Sequence, residues 1–383
     1  MGVEGRRFLV IYESETGKVR GVKMTGDIRH RVELERACGG GDLPRLGFTR
    51  ELRGVEVDVE NDIVKSVING EPKMLFGKDG MAKFQRVSIS ESRERVLNSE
   101  GVYIVSRPGI GDFILAAECV AGMRQVYPGK TIVLNGPGGF KKLCEHFEPG
   151  VEFAKEWGEG KGFEKFYYVD QRIGYQFDPR GGLHGHVSKY GVYLGVDDLK
   201  GEVKLRWEPG ERMEYLRGLG IGEGELEGPV LGIHIKSASS ATRSWLKHEA
   251  GVLAMMWKSV FKGSVFLFGE RKDYGVSGEG FWFIGAEEEV MAGAAAVGIC
   301  SIVVCIDSGP LHLARIQGVK YICLWGGTRP GIVLGREVNE YDIVGDVGCG
   351  FEACHTCGRK RAECMESIKA EAVWEKIKGV MDE

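Results

Sequence analysis

The chain has no apolar run long enough to span a bilayer. Its start, Met1-Gly2-Val3-Glu4-Gly5-Arg6-Arg7, has none of the apolar core of a secretory signal. A cytoplasmic protein is therefore expected. Positive charge is not in excess either: 51 Lys and Arg face 55 Asp and Glu, for a formal net charge of −4 and a pI near 6.2. That balance excludes a protein whose whole surface grips nucleic acid, while leaving room for a local basic patch. Glycine is abundant at 59 residues but follows no period, which excludes collagen and repeat arrays. A disulfide framework is not indicated, because Cys119, Cys300, Cys305 and Cys323 sit inside apolar runs, where cysteine behaves as a small buried hydrophobe. What is present is the composition of a folded protein, 43% hydrophobic and 28% charged, and 383 residues exceed what one core organises. Two or three domains follow.

The texture changes along the chain. Up to Val87 it is short and strand-like, with Phe8 to Tyr12, a turn at Glu15 to Lys18, Val19 to Met24, Val55 to Val59 and Ile63 to Val67. Gly39 to Pro44 reads as a loop and Glu91 to Glu100 as a charged connector. A β-rich accessory domain over residues 1–97 is expected. Beyond it strands and helices alternate: strand Val102 to Ser106, helix Phe113 to Val126, strand Thr131 to Leu134 and strand-like Phe166 to Val169. A glycine- and glutamate-rich stretch, Gly218 to Gly228, precedes a second series. That series runs through strand Val230 to Ile235, helix Glu249 to Phe261, strand Val265 to Phe268, helix Glu287 to Val297, strand Ile302 to Ile306, helix Leu311 to Gln317, strand Lys320 to Leu324 and a last helix from Ile368 to Met381. Alternation of this kind predicts parallel sheets. Two doubly wound α/β halves, 98–222 and 223–383, would face a cleft at the carboxyl ends of their strands.

The stretch from Ser301 to Arg315 carries the sharpest chemical signal. A β-branched strand runs into Asp307-Ser308-Gly309-Pro310, and Pro310 suits a first helical position. The unpaired amides and positive dipole end of such a helix receive phosphate, with His312 one turn in to add a hydrogen bond. A plain capped helix with a surface histidine is the alternative. Asp112 follows a strand and a glycine turn, Arg107-Pro108-Gly109-Ile110-Gly111, where it would either act as a base or cap the helix. Lys236 and Arg243 fall after a donor-half strand, with hydroxyls from Ser237 to Thr242 between them. With no Asp-x-Asp in that half, such cations would have to meet a leaving diphosphate, unless they are solvated surface charges. Glu270, after a strand and a glycine, is placed to hold a ribose diol, with Asp273 competing. His184-Gly185-His186 lacks a third ligand nearby. Cys349, Cys354, Cys357 and Cys364 are spaced C-x4-C-x2-C-x6-C, open to a structural zinc, to reduced thiols or to a disulfide, and Arg359-Lys360-Arg361 makes the same loop basic.

The run Asp307-Ser308-Gly309-Pro310-x-His312-x-Ala314 resembles the signature of glycosyltransferase family 9, the lipopolysaccharide heptosyltransferases. The likeness continues in order through Gly109-Ile110-Gly111-Asp112, Gly232-Ile233-His234, Arg243-Ser244-Trp245, Phe268-Gly269-Glu270 and the cysteine cluster, so it covers about residues 100–383. Leu246 stands where that pattern usually has proline. The resemblance implies a GT-B fold and an inverting transfer, independent of metal, of a sugar from a nucleotide-diphosphate donor to an acceptor hydroxyl. An ADP-linked heptose is the favoured donor. It implies Asp112 as catalytic base, the Asp307-Ser308-Gly309 turn and His312 at the diphosphate, and Asp307 at sugar hydroxyls. The acceptor stays open among a glycan, a lipid-linked glycan, another hydroxyl compound and nucleic acid. Competing readings are an epimerase or hydrolase of the same fold, and a glycan- or nucleic-acid-binding protein with an inactive body. A dehydrogenase is weaker, because Gly109-x-Gly111 lacks the third glycine of a dinucleotide turn.

Overall fold

The computed structural model describes residues 7–12, 19–25, 55–58, 63–68, 71–73, 89–106, 109–154, 166–170, 185–237, 241–285, 290–345, 347 and 362–382. His184, Ala238 to Ser240, the 286–289 stretch, Cys349, Cys354, Cys357 and Arg359 to Arg361 lie outside them, as does the expected loop at Gly39 to Pro44. No helix among the described residues is long and apolar enough to cross a membrane.

The strand-like N-terminal stretches pair antiparallel: β1 (Arg7–Tyr12) with β2 (Val19–Thr25), then β3 (Val55–Asp58), β4 (Ile63–Ile68) and β5 (Glu71–Lys73) as a three-stranded sheet. The charged stretch expected to be a connector is instead helix α1 (Ile89–Asn98). Val96 gives it one apolar position that is fully buried in the core, and Arg93 anchors it by donating to the Gly195 carbonyl at 2.9 Å.

The first α/β lobe is a four-stranded parallel sheet of β6 (Gly101–Val105), β7 (Thr131–Asn135), β9 (Glu152–Ala154) and β10 (Phe166–Asp170), ordered β10-β6-β7-β9. A short antiparallel pair, β8 (Phe147–Glu148) with β11 (Lys204–Leu205), adjoins it. Helix α2 (Ile110–Val126) carries a buried run from Phe113 to Met123 and lies in the core between elements. Helices α3 (Lys141–Glu145), α4 (His186–Tyr193) and α5 (Glu211–Gly218) complete the lobe and lead out of it.

The second lobe is a six-stranded parallel sheet, β14-β13-β12-β15-β16-β17, formed by β12 (Val230–His234), β13 (Ser264–Phe268), β14 (Phe281–Ile284), β15 (Ile302–Ile306), β16 (Tyr321–Trp325) and β17 (Asp342–Val344). β13 and β15 are buried at every position, as expected of strands covered on both faces. Helices α6 (Lys247–Phe261), α7 (Val290–Ile299), α8 (Gly309–Gln317), α9 (Pro330–Val333), α10 (Glu363–Glu366) and α11 (Ala370–Asp382) cover the sheet. One face carries Leu231, Val265, Ile302 and Ile322 with Trp257 and Trp374. Trp245 joins that core and donates to the Ile368 carbonyl at 2.9 Å. The other face runs into a single apolar core shared with the first lobe, from Ile104 and Phe113 through Leu311 and Val303. The architecture is GT-B.

Several expected boundaries move. The helix expected from Phe113 begins at Ile110, because Gly109, extended at φ −85° and ψ 141°, already serves as N-cap. Asp112 is thus the third helical residue and not the cap. Pro310 likewise falls second in a helix that starts at Gly309, with Ser308 as cap. Leu246, where proline was the expected residue, sits at φ −75° and ψ 128° as N-cap of α6, a backbone proline would share, so the substitution leaves the start of α6 intact.

Candidate active site

Three close approaches place α2 against α8. A Cβ on Gly309 would lie 3.2 Å from the Ile110 Cβ, and one on Gly111 only 2.7 Å from the His312 Cδ2. Glu118 meets Arg315, whose Nη2 donates to both carboxylate oxygens at 2.7 and 2.8 Å. The paired positions increase along both chains. The helices therefore run side by side in the same direction, with their amino ends together. Each amino end carries roughly half a positive charge. At α8 this end offers the Gly309 amide, since Pro310 has no N–H and Leu311 already donates to the Ser308 carbonyl at 3.1 Å. Two such ends at one place repel each other, and an anion placed between them relieves the repulsion.

The cap residue of α8 leaves that amide available. The Ser308 Oγ donates to the Ile306 carbonyl at 3.0 Å and lies 2.9 Å from the His234 Nδ1. With its one proton given to Ile306, the hydroxyl accepts from His234, which fixes the imidazole as the Nδ1–H tautomer. Ser308 makes no side-chain hydrogen bond to its own helix. Asp307, almost fully buried, does not cap either: its Oδ2 accepts from Arg243 Nη1 and from Thr328 Oγ1, each at 2.8 Å, and Arg243 also reaches the Asp307 carbonyl at 3.2 Å. Arg243 is thereby held beside the start of α8, its side chain only 16% exposed.

Asp112 projects from the first turn of α2, its Oδ2 3.1 Å from where a Cβ on Gly109 would stand. It belongs to the first lobe, the phosphate-type turn to the second, and the α2–α8 contact brings the two starts together. Lys236, about half exposed, donates to Asp273 Oδ1 at 2.7 Å, so Asp273 is engaged by a cation. The Glu270 backbone donates to the Asp273 Oδ2 at 3.3 Å, and its own carboxylate pairs with Lys272 in solvent. Gly269 before it holds φ +138°, open in practice to glycine alone. The Ser237 amide donates to the Ser244 Oγ at 3.1 Å, closing the loop that carries Arg243.

His312 is only 2% exposed, wedged against Gly111, and its Nδ1 has no partner among the described residues. Burial, with help from the Arg315 charge, holds its pKa down to about 3 from an ordinary 6.5. Burial likewise lowers His234 to about 4, the Asp273 charge opposing. Both are neutral imidazoles in the folded protein. Unfolded, each binds a proton below about pH 6.5, so the unfolded state takes up more protons between pH 6.5 and 4 and stability falls as pH drops through that window. Thermal melting at pH 7 and pH 5 should show a loss on the order of 2 kcal/mol per histidine. Replacing His312 with Gln should flatten part of that slope.

Thr328 and the Glu118–Arg315 pair are the residues that sequence reasoning missed. Thr328 lies in Gly326-Gly327-Thr328, a polar turn at the carboxyl end of β16, and the rule that singled out Asp307 would have reached it. No local pattern links Glu118 to Arg315, 197 residues on. Among the described residues no group of three or more His, Cys, Asp or Glu side chains could hold a metal ion, and Cys364, the described member of the cysteine set, is buried in α10. His186 is buried at the start of α4, 6.4 Å from the Tyr190 ring and stacked on it.

The chain matches no family profile, and no curated protein matches it. Solved structures do. It is similar to the Escherichia coli ADP-heptose lipopolysaccharide heptosyltransferase II at 16% identity and a TM-score of 0.56, covering 73% of this chain and 98% of that one. A glycosyltransferase family 9 protein from Veillonella parvula matches at 15% identity and a TM-score of 0.52, with 74% and 98% covered. TibC, an iron-containing dodecameric glycosyltransferase of enterotoxigenic E. coli, matches at 13% identity and a TM-score of 0.58, with 84% and 85% covered. These similarities establish a shared fold.

Proposed function

We propose that the chain is an inverting, metal-independent glycosyltransferase that moves a sugar from a nucleotide-diphosphate donor to an acceptor hydroxyl. The observation that carries this reading is the meeting of two helix starts from different lobes, one bearing a carboxylate and the other the Gly309 amide and a positive dipole end beside Arg243. Asp112 takes the acceptor hydroxyl proton while that oxygen attacks the anomeric carbon. The bond from that carbon to the phosphate oxygen breaks, and the nucleoside diphosphate leaves with the electron pair. Its growing charge faces the start of α8 and the Arg243 guanidinium, fixed in advance by Asp307 and Thr328. Lys236, Ser237, Glu270 and Asp307 contribute to donor binding around them, with Glu270 at the ribose. His312, one turn into α8, adds a hydrogen bond to the donor from its Nδ1, which has no partner among the described residues.

An ADP-linked heptose is the donor we favour, since TibC has been solved with ADP-D-β-D-heptose and shares this fold at a TM-score of 0.52. The three-part division at 1–97, 98–222 and 223–383, a cytoplasmic setting and the four-cysteine structural metal site belong to the same proposal. The metal would be zinc, or iron as in TibC, and would take no part in transfer.

A panel of ADP-, UDP- and GDP-sugars tests the donor class by thermal shift. A ligand selective for the folded state at 100 times its Kd raises stability by about 2.7 kcal/mol. Of the three classes, ADP-sugars should give this shift, and ADP should be released, with the sugar recovered on the acceptor, only when an acceptor is supplied. Turnover of donor without acceptor would favour an epimerase or hydrolase, and no shift with any nucleotide sugar would remove the proposal.

A further inference from the structure

We propose that Glu118 and Arg315 are positioning residues that hold Asp112 at its working distance from the diphosphate turn, an inference that rests on the transferase reading above. The pair bridges the two lobes about two helical turns behind the site. Arg315 Nη2 binds both Glu118 oxygens, and the Glu118 side chain is only 3% exposed. Burial pushes the Glu118 carboxyl up, and the Arg315 charge offsets part of that cost. A charge pair so deeply placed contributes little net stability compared with apolar packing, because desolvation consumes most of the attraction. Its value is geometric. A bidentate contact to one guanidinium nitrogen fixes the separation and the axial register of α2 and α8 together.

The register matters because Asp112 and the Gly309 amide sit on different lobes and on those two helices. Glu118 lies six residues beyond Asp112, about 9 Å along α2, and Arg315 six residues beyond Gly309, about 9 Å along α8. The pair therefore marks equal distances behind the base and behind the first amide of the turn. Ahead of it the apposition is glycine against side chain, Gly111 on His312 and Gly309 on Ile110. Arg315 Nε is buried and has no partner among the described residues, so the guanidinium is committed to Glu118 through one edge alone. The pair thus ties a side chain of α2 to a side chain of α8 across the contact.

The test compares the wild type with Glu118→Gln and Arg315→Lys by two readouts. The first is hydrogen exchange of residues 110–113 and 309–313, which needs no ligand. The second is steady-state transfer. In folded Glu118→Gln, exchange at both helix starts should quicken and kcat should fall about 100-fold, the scale expected for a displacement near 1 Å, with little change in donor KM. Arg315→Lys, which keeps the charge but replaces the planar guanidinium with a shorter, more flexible ammonium, should lie between Glu118→Gln and the wild type, and it carries the test alone should Glu118→Gln not fold. Unchanged exchange with unchanged kcat would overturn the inference, as would a drop in activity matching only the loss of folded protein. If the wild type transfers no sugar at all, the transferase reading fails by itself, and the exchange comparison still decides whether the pair sets the register.

Discussion

Replacing Asp112 with Asn is expected to lower transfer by about 10²- to 10⁴-fold, the usual contribution of a positioned general base. Asn is nearly isosteric and keeps a hydrogen-bonding oxygen, but it cannot take up the acceptor proton. Because Asp112 is the third residue of α2 and not its cap, the helix start survives the change, although an acidic group is lost from the first turn. That loss costs a few tenths of a kcal/mol and is visible only as a small melting shift. Donor-induced thermal stabilisation should persist, since the proposed mechanism assigns the diphosphate to the other lobe. A variant that retained wild-type turnover would assign the proton to another group. A variant that lost donor binding as well would mean that Asp112 holds the sugar.

Arg243→Ala should be costly in two separate measurements. The Asp307 carboxylate is 8% exposed at its side chain and would keep, among the described residues, Thr328 as its side-chain partner. Breaking a buried ion pair from one side typically costs about 3–5 kcal/mol, which calorimetry would read as a drop of several degrees in Tm. In transfer, losing a fixed cation that faces the leaving diphosphate should lower kcat by about 10²- to 10³-fold, comparable to the removal of one preorganised donor. Arg243→Lys separates the two effects. It keeps the charge and part of the stability but loses the reach and fixed plane of the guanidinium, whose Nη1 meets both the Asp307 carbonyl and carboxylate, so kcat should recover less than Tm. Equal recovery of both would point to a structural role for the guanidinium.

The parts legible in the sequence are those fixed by local physics. The β-branched run Ile302 to Ile306 forms a strand buried on both sides because five consecutive apolar residues have no other low-energy place. The turn after it opens a helix because Ser308 and Pro310 favour that start. Helix boundaries shifted where glycine did the capping: Gly109 has no side chain to signal an N-cap, and the reading went to Asp112, the better capper, three residues on. The charged appearance of Glu91 to Glu100 concealed α1, since Val96 is buried while Arg93 to Arg95, Leu97 and Asn98 around it are exposed. The edge strands Phe281–Ile284 and Asp342–Val344 went unnoticed because their stability comes from neighbours already in place. In the site, each residue named from a strand end was found at a strand end. What the sequence does not show is any relation between residues about 200 positions apart, such as Gly111 with His312 or Glu118 with Arg315, which exists only once two lobes dock.

The apolar core that runs uninterrupted from Ile104 and Phe113 to Val303 and Leu311 limits how this chain can be rebuilt. Severed in the 219–229 stretch, neither portion would be a finished body, because each would present a greasy wall shaped for its sibling. Grafting one portion onto a foreign counterpart would succeed only if the matching surface travelled with it, so variation in the outer loops is the easier route to new binding properties.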